Sequence, residues 1–148
     1  MCFAPLEGWR HVTVTARRTT QDFAWCRQEL VAVHFPQAEV MRVVLDNLNT
    51  PTPWALYETF PAAQAKRPVD RLEFHDTPKH GSWLNVAAIE LSVLNGQCLV
   101  RRIPDPGTLE TEVTAWAQAR NTRTAQVHWR FTTADARLKL KRLYPVIE

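Results

Sequence analysis

The chain has 148 residues, 45% of them hydrophobic and 22% charged, with a formal net charge of +3. Such a length and composition describe one globular domain over residues 1–148, able to bury a proper core, and exclude a disordered tail; no apolar run approaches the roughly 20 residues of a membrane helix. The start MCFAPLEGWR lacks the regions of a signal peptide, so the expected location is the cytoplasm. Cys2, Cys26 and Cys98 are odd in number, far apart and in no CxxC arrangement, which supports neither a disulfide framework nor a zinc site. They read as small core residues in a reducing compartment.

Taken in order, Cys2 to Ala4 reads as the stub of a strand joined through the turn Pro5 to Gly8 to a second strand, Trp9 to Ala16, whose residues alternate with period two. Thr20 offers a helix N-cap, with Asp22 in the first turn. Phe23, Cys26, Leu30 and Val33 then form a stripe that ends near His34, before Pro36. The run Val43-Val44-Leu45 reads as a strand buried on both faces, leaving Asp46 where it exits the sheet. A short helix follows from Pro53 to Phe60, with Leu56 and Phe60 on one face. Arg71 to His75 alternates as an edge or half-exposed strand, Leu72 and Phe74 pointing inward.

Pro78 to Ser82 forms a loop, Asn85 caps a helix, and Ala87, Leu91, Leu94 and Cys98 make its stripe. Gly96 weakens that helix by about 1 kcal/mol relative to Ala. Pro104, Pro106 and Gly107 end it, and Thr108 caps a further helix with Leu109, Val113 and Trp116 inward and Glu110 and Glu112 near its positive end. Thr133 caps the last helix, in which Ala136, Leu140 and Leu143 pack before Pro145. No internal repeat is present. The basic end, with Arg137, Lys139, Lys141 and Arg142 against Glu148 alone, suits a phosphate backbone, although a solvated helix face is the commoner meaning of such a run.

Asp46 carries the chemistry the pattern offers. Ligands gather at the carboxyl ends of strands in open α/β sheets, so an acid there is a candidate metal ligand; capping a turn or helix is the more frequent use.

Four stretches, VLDNLNT, LEFHDTPKHGSWLN, AIELSVL and WRFTTADARLKLKRLYP, together closely resemble the C-terminal catalytic domain of mariner-like DDE transposases of bacterial insertion sequences. The resemblance covers essentially the whole chain. It implies an RNase H-like α/β fold, a mixed sheet with flanking helices, and three carboxylates holding two magnesium or manganese ions for attack on phosphodiester bonds of DNA. By the same resemblance Asp46 and Asn47 stand at the second acid and its neighbour, Pro51 stands where a His is usual, and Ala88 stands at the third carboxylate. Glu90 lies two residues further along a helix, about 200° around it, and so does not replace that acid.

The first acid belongs to a strand that precedes this region, so the sheet is expected to lack its first, central strand. Three ways to fill that gap are open: pairing of the N-terminal stub or of Trp9 to Ala16 directly with Met41 to Asp46, a strand donated by a partner chain, or a poorly stable domain. The sequence reads as a truncated transposase domain without a helix-turn-helix, impaired in unaided catalysis. A non-catalytic module that binds DNA or intact transposase, and a split nuclease completed by another chain, are the other readings; self-association is a further partner possibility. Lys79, His80, Arg101 and Arg102 are candidates for weak, non-specific contacts to DNA phosphates, with plain solvation as the alternative. Trp54, Trp83 and Trp129 offer faces for base stacking, although core packing is the expected use.

Overall fold

The computed structural model describes residues 1–46, 54–78, 85–128, 130–139 and 141. The N-terminal hairpin pairs β1 (Cys2–Ala4) with β2 (Trp9–His11) antiparallel, Phe3 opposite Arg10. The second strand is shorter than the alternation of Trp9 to Ala16 implies. Gly8 takes φ +65° in the turn, and a Cβ placed on it would lie 2.6 Å from the Thr124 carbonyl carbon. Here the residues after α5 (Pro106–Thr122) run back against the hairpin: Val127 N–H donates to the Pro5 carbonyl at 3.1 Å, and the Gln126 side-chain amide donates to the Leu6 carbonyl at 2.6 Å. Gly8→Ala therefore meets both the left-handed penalty of about 1–2 kcal/mol and a backbone clash. We expect a Tm at least about 4 °C lower in a thermal melt, and an unchanged Tm would refute the close approach.

Helix α1 (Thr20–Glu29) is capped by Thr19, one residue before the expected cap. The Thr19 hydroxyl accepts from Asp22 N–H at 3.1 Å, and the Asp22 carboxylate accepts from Thr19 N–H at 2.8 Å, a reciprocal box. Two other helices start in related ways. Asp105, rather than Thr108, caps α5 by accepting from Thr108 N–H at 2.9 Å, with Pro106 in the first turn. Thr132, rather than Thr133, exchanges bonds with Asp135 at the start of α6 (Thr133–Lys139).

These bonds hold the carboxyls of Asp22, Asp105 and Asp135 below the usual carboxylate range. A lowered native pKa contributes stability that is present above the unfolded value and lost as pH falls through the native one. The urea midpoint should therefore drop on acidification below about pH 4, and changing all three acids to Asn should flatten that slope.

The buried face of α1 is Ala24, Arg27 and, beyond its end, Val31, not the expected stripe of Phe23, Cys26, Leu30 and Val33. Two features cause the rotation. The Arg27 guanidinium lies 3.8 Å from the Phe23 ring centroid and 4.2 Å from that of Phe74, so an aromatic sandwich draws a charged residue inward. Desolvation lowers its pKa to about 10, still well above neutrality. After Glu29 the helix widens into a π-turn over Leu30–His34, closed by Phe35 N–H on the Leu30 carbonyl at 2.9 Å, which leaves Val33 exposed.

Strand β3 (Met41–Leu45) pairs in parallel with β4 (Leu72–Asp76), Leu45 opposite Asp76. Between them lie α2 (Trp54–Thr59) and α3 (Ala62–Arg71). Leu56 and Phe60 are buried as their spacing implies, with Ala24, Ala65 and Val69 around them. Helix α3 has no counterpart in the sequence reading. Pro68 stands inside it, fully buried, and its carbonyl accepts from Leu72 N–H. Trp54 is exposed rather than in the core; Trp83 and Trp129 lie outside the described residues.

Two expectations about the sheet are corrected. Arg42 and Val44 are exposed, so β3 is covered on one face only, and among the described residues β4 is its single hydrogen-bonded neighbour. The hairpin also does not pair with β3; the described strands form two separate two-stranded sheets. The edge of β2 is already taken: the Asn121 side chain accepts from Arg10 N–H and donates to the Arg10 carbonyl, each at 2.9 Å, and so stands in for a neighbouring strand.

Helix α4 (Val86–Cys98) starts at Asn85, whose side chain accepts from Ala87 N–H at 3.0 Å, and runs unbroken past Gly96. Leu94 and Cys98 bury against Val113 of α5 as expected, with Leu109 and Trp116 half-buried beside them, whereas Leu91 is exposed. In α6 Ala136 is half-buried, Leu138 exposed, and Leu140 and Leu143 lie outside the described residues. The packing thus falls into two halves. Hairpin, α4 and α5 make one; α1, the π-turn, α2 and α3 make the other, with β3–β4 attached through Arg27 on Phe74 and through Arg71 Nη1 donating to the Pro36 carbonyl at 2.9 Å.

Candidate active site

Asp46 follows β3 directly and is half-buried. Parallel pairing places Thr77 beside it: Thr77 N–H donates to the Leu45 carbonyl at 2.8 Å, prolonging the ladder by one rung, and the Thr77 hydroxyl donates to Asp46 Oδ1 at 3.2 Å. The strand end thus aims the carboxylate and a buried hydroxyl steadies it. Asp76, one residue before Thr77, alternates to the other face of the sheet.

Ala88 sits exposed in the first turn of α4, its N–H on the Asn85 carbonyl at 3.0 Å. Glu90 is on the opposite side of the helix, 1% exposed, as the 200° rotation requires. Its carboxylate lies 2.9 Å from Arg10 Nε and accepts from Arg120 Nε at 2.7 Å and Nη2 at 3.2 Å. Arg10 is fully buried from strand β2; desolvation lowers its pKa, and Glu90 opposes that shift. Its Nη2 donates to the Ala125 carbonyl at 2.7 Å and its Nη1 to Asn121 Oδ1 at 3.3 Å. Glu90 is therefore a structural acid that ties hairpin, α4 and α5 together, and two guanidinium groups consume its lone pairs.

Of the proposed phosphate contacts, Arg101 and Arg102 are exposed, and Arg101 Nη2 is paired with Glu112 at 2.6 Å. Lys79, His80 and Pro51 lie outside the described residues. The basic end contributes Arg137 and Lys139, both exposed on α6, Lys139 lying 5.5 Å from the Phe131 ring centroid.

One group of three possible metal ligands comes together among the described residues, and Asp46 is not in it: His11, Glu29 and His34, with donor atoms within 4.8 Å of one another. The sequence reading missed it. His11 and His34 are 23 positions apart in separate elements, and Glu29 and His34 on a regular α-helix would point about 140° apart. The π-turn between them is what brings them to one side, and no spacing rule announces a π-turn.

The model of the DDE superfamily endonuclease family matches residues 2–110, which include both strands of the second sheet, Asp46 and all of α4. The chain belongs to the DDE superfamily endonucleases. No curated protein and no solved structure matches it. Domains of this family serve in transposase-like DNA cleavage and typically use divalent metals. The mixed α/β architecture is compatible with such an endonuclease domain, and no described helix is long and apolar enough to cross a membrane. A pair of hard cations needs several oxygens converging from separate elements; among the described residues no such group forms around Asp46, whose carboxylate accepts from the Thr77 hydroxyl, while the α4 turn presents Ala88 and Glu90 is committed to arginines.

Proposed function

We propose that this DDE endonuclease domain, a relative of mariner-like insertion-sequence transposases, is silent in metal-dependent phosphodiester cleavage when alone, and retains Asp46 as its one catalytic-type acid. The observation that supports this reading is the fate of acids on α4. A residue in its first turn with an exposed side chain is where a second element would deliver a carboxylate, and that residue is Ala88. The nearest acid on the helix, Glu90, cannot turn outward without leaving the buried Arg10 uncompensated. DNA contact would then be weak, non-specific and lost as salt rises, carried by exposed basic residues such as Arg102, Arg137 and Lys139.

A nicking assay on supercoiled plasmid with magnesium or manganese tests this. The expected outcome is no conversion above that of Asp46→Asn. Nicking by the purified chain that Asp46→Asn abolishes would overturn the reading.

One observation favours a second reading, a split nuclease completed by another polypeptide. Strand β3 has one hydrogen-bonded neighbour among the described residues, and its exposed face carries Val44. An added strand bearing an acid would extend the sheet at that edge and place a carboxylate beside Asp46. Ala88→Glu is a structurally mild way to supply the remaining acid, because Ala88 is the third residue of a helix capped by Asn85, where a glutamate favours the helix dipole. Cleavage by Ala88→Glu together with such a strand-bearing fragment, and by neither alone, is the outcome this second reading requires.

A further inference from the structure

The cluster that the endonuclease reading leaves unused lies at the joint between the two halves of the fold. His11 ends β2, Glu29 ends α1 and His34 ends the π-turn. Glu29 Oε1 stands 3.5 Å from His11 Nε2 and 3.5 Å from His34 Nε2, and the two imidazole centroids are 4.4 Å apart. His34 Nε2 is shielded from solvent and makes no hydrogen bond, although Glu29 Oε1 stands 3.5 Å away. Trp9 packs against the site, 4.9 Å from both the His34 and Phe35 rings, and shields it from one side.

We propose that His11, Glu29 and His34 form a binding site for one transition-metal ion of the zinc class, which clips the hairpin half of the domain to the α1 half. Three donors about 2.1 Å from a tetrahedral ion lie about 3.4 Å from one another, close to the two 3.5 Å separations found here. Two imidazoles and one carboxylate select zinc, cobalt or nickel over magnesium, which prefers oxygen alone. Ligation needs neutral rings. Burial, reinforced by neighbouring His34, holds His11 below the ordinary imidazole range, the direction that ligation favours. The fourth position is left to water.

The location explains what the ion would do. Among the described residues, the strong packing between elements stays within each half, and the approaches between the halves include this cluster, Trp9 on Phe35, and Cys26 Sγ, 3.9 Å from Thr13 Oγ1. An ion held by β2 on one side and by α1 and its π-turn on the other would convert that loose joint into a covalently braced one. This inference is independent of whether the domain cleaves DNA.

The test is titration of the chelator-treated chain with cobalt(II) and with zinc(II). We expect one cobalt bound per chain with visible d–d absorption and no thiolate charge-transfer band, displacement by zinc but not by magnesium, and a Tm raised by about 5 °C or more at saturating zinc. His34→Ala and the isosteric Glu29→Gln should each weaken zinc binding at least about tenfold while keeping the apo far-UV circular dichroism. Three free cysteines are the competing donors, so Cys26→Ser should change nothing. A thiolate band, or zinc affinity that survives both His34→Ala and Glu29→Gln, would overturn the assignment; so would magnesium displacing cobalt.

Discussion

Glu90→Gln should lower the unfolding free energy by about 3–5 kcal/mol, the cost of breaking a buried ion pair while its partner charge stays buried. The substitution keeps the volume of the side chain and removes only its charge, so the loss would report electrostatics rather than a cavity. Arg10 cannot escape to solvent, since its side chain is fully covered, and its remaining acceptors are the Ala125 carbonyl and Asn121 Oδ1. Urea denaturation followed by tryptophan fluorescence measures the change. The opposite sign would be informative: an acid held ready for a metal is usually crowded by other acids, and neutralising it stabilises the protein. A gain in stability on Glu90→Gln would therefore refute the structural role.

On the proposed reading, two positions decide catalysis. The sheet end presents Asp46, steadied by Thr77. Helix α4 begins at its Asn85 cap, and Ala88 in its first turn is exposed, so a change of side chain there leaves the packing undisturbed.

How much of this was legible in the sequence depends on which force fixed each element. Features set by local chemistry were readable: the hairpin with Gly8 at its turn, the strand delivering Asp46, the Leu56 and Phe60 face of α2, the Asn85 cap, and the opposition of Ala88 and Glu90 on one helix. Caps slipped by one to three residues where Thr and Asp alternate, since either can accept the first N–H. Features set by distant partners were not readable. Helix α3 hides behind Pro68, which cannot donate to the carbonyl four residues back and so reads in the sequence as a helix breaker, and α1 turned its buried face because Phe74, nearly fifty residues away, stacks on Arg27. The separation of the two sheets depends on Asn121, more than a hundred residues from the Arg10 backbone it occupies. The His11, Glu29 and His34 cluster combines both difficulties, a remote strand and a π-turn.

Leu56→Ala should cost about 2–5 kcal/mol, and the loss should be confined to one half of the domain. Leu56 is completely buried among Ala24, Phe60, Ala65 and Val69, so α1, α2 and α3 all contribute walls, and the two alanines offer no long side chain to swing into the void. That puts the expected cost toward the upper part of the range. The other core, Leu94, Cys98 and Val113 with Leu109 and Trp116 around it, shares no residue with this one. If the halves are coupled only through the joint at His11, Glu29 and His34, amide hydrogen exchange in Leu56→Ala should accelerate in α1–α3 and leave α4 and α5 protected. Saturating zinc should then slow exchange in both halves, because opening either one releases the ion that the joint holds. Uniform acceleration in the metal-free variant would show instead that a single cooperative core spans the molecule.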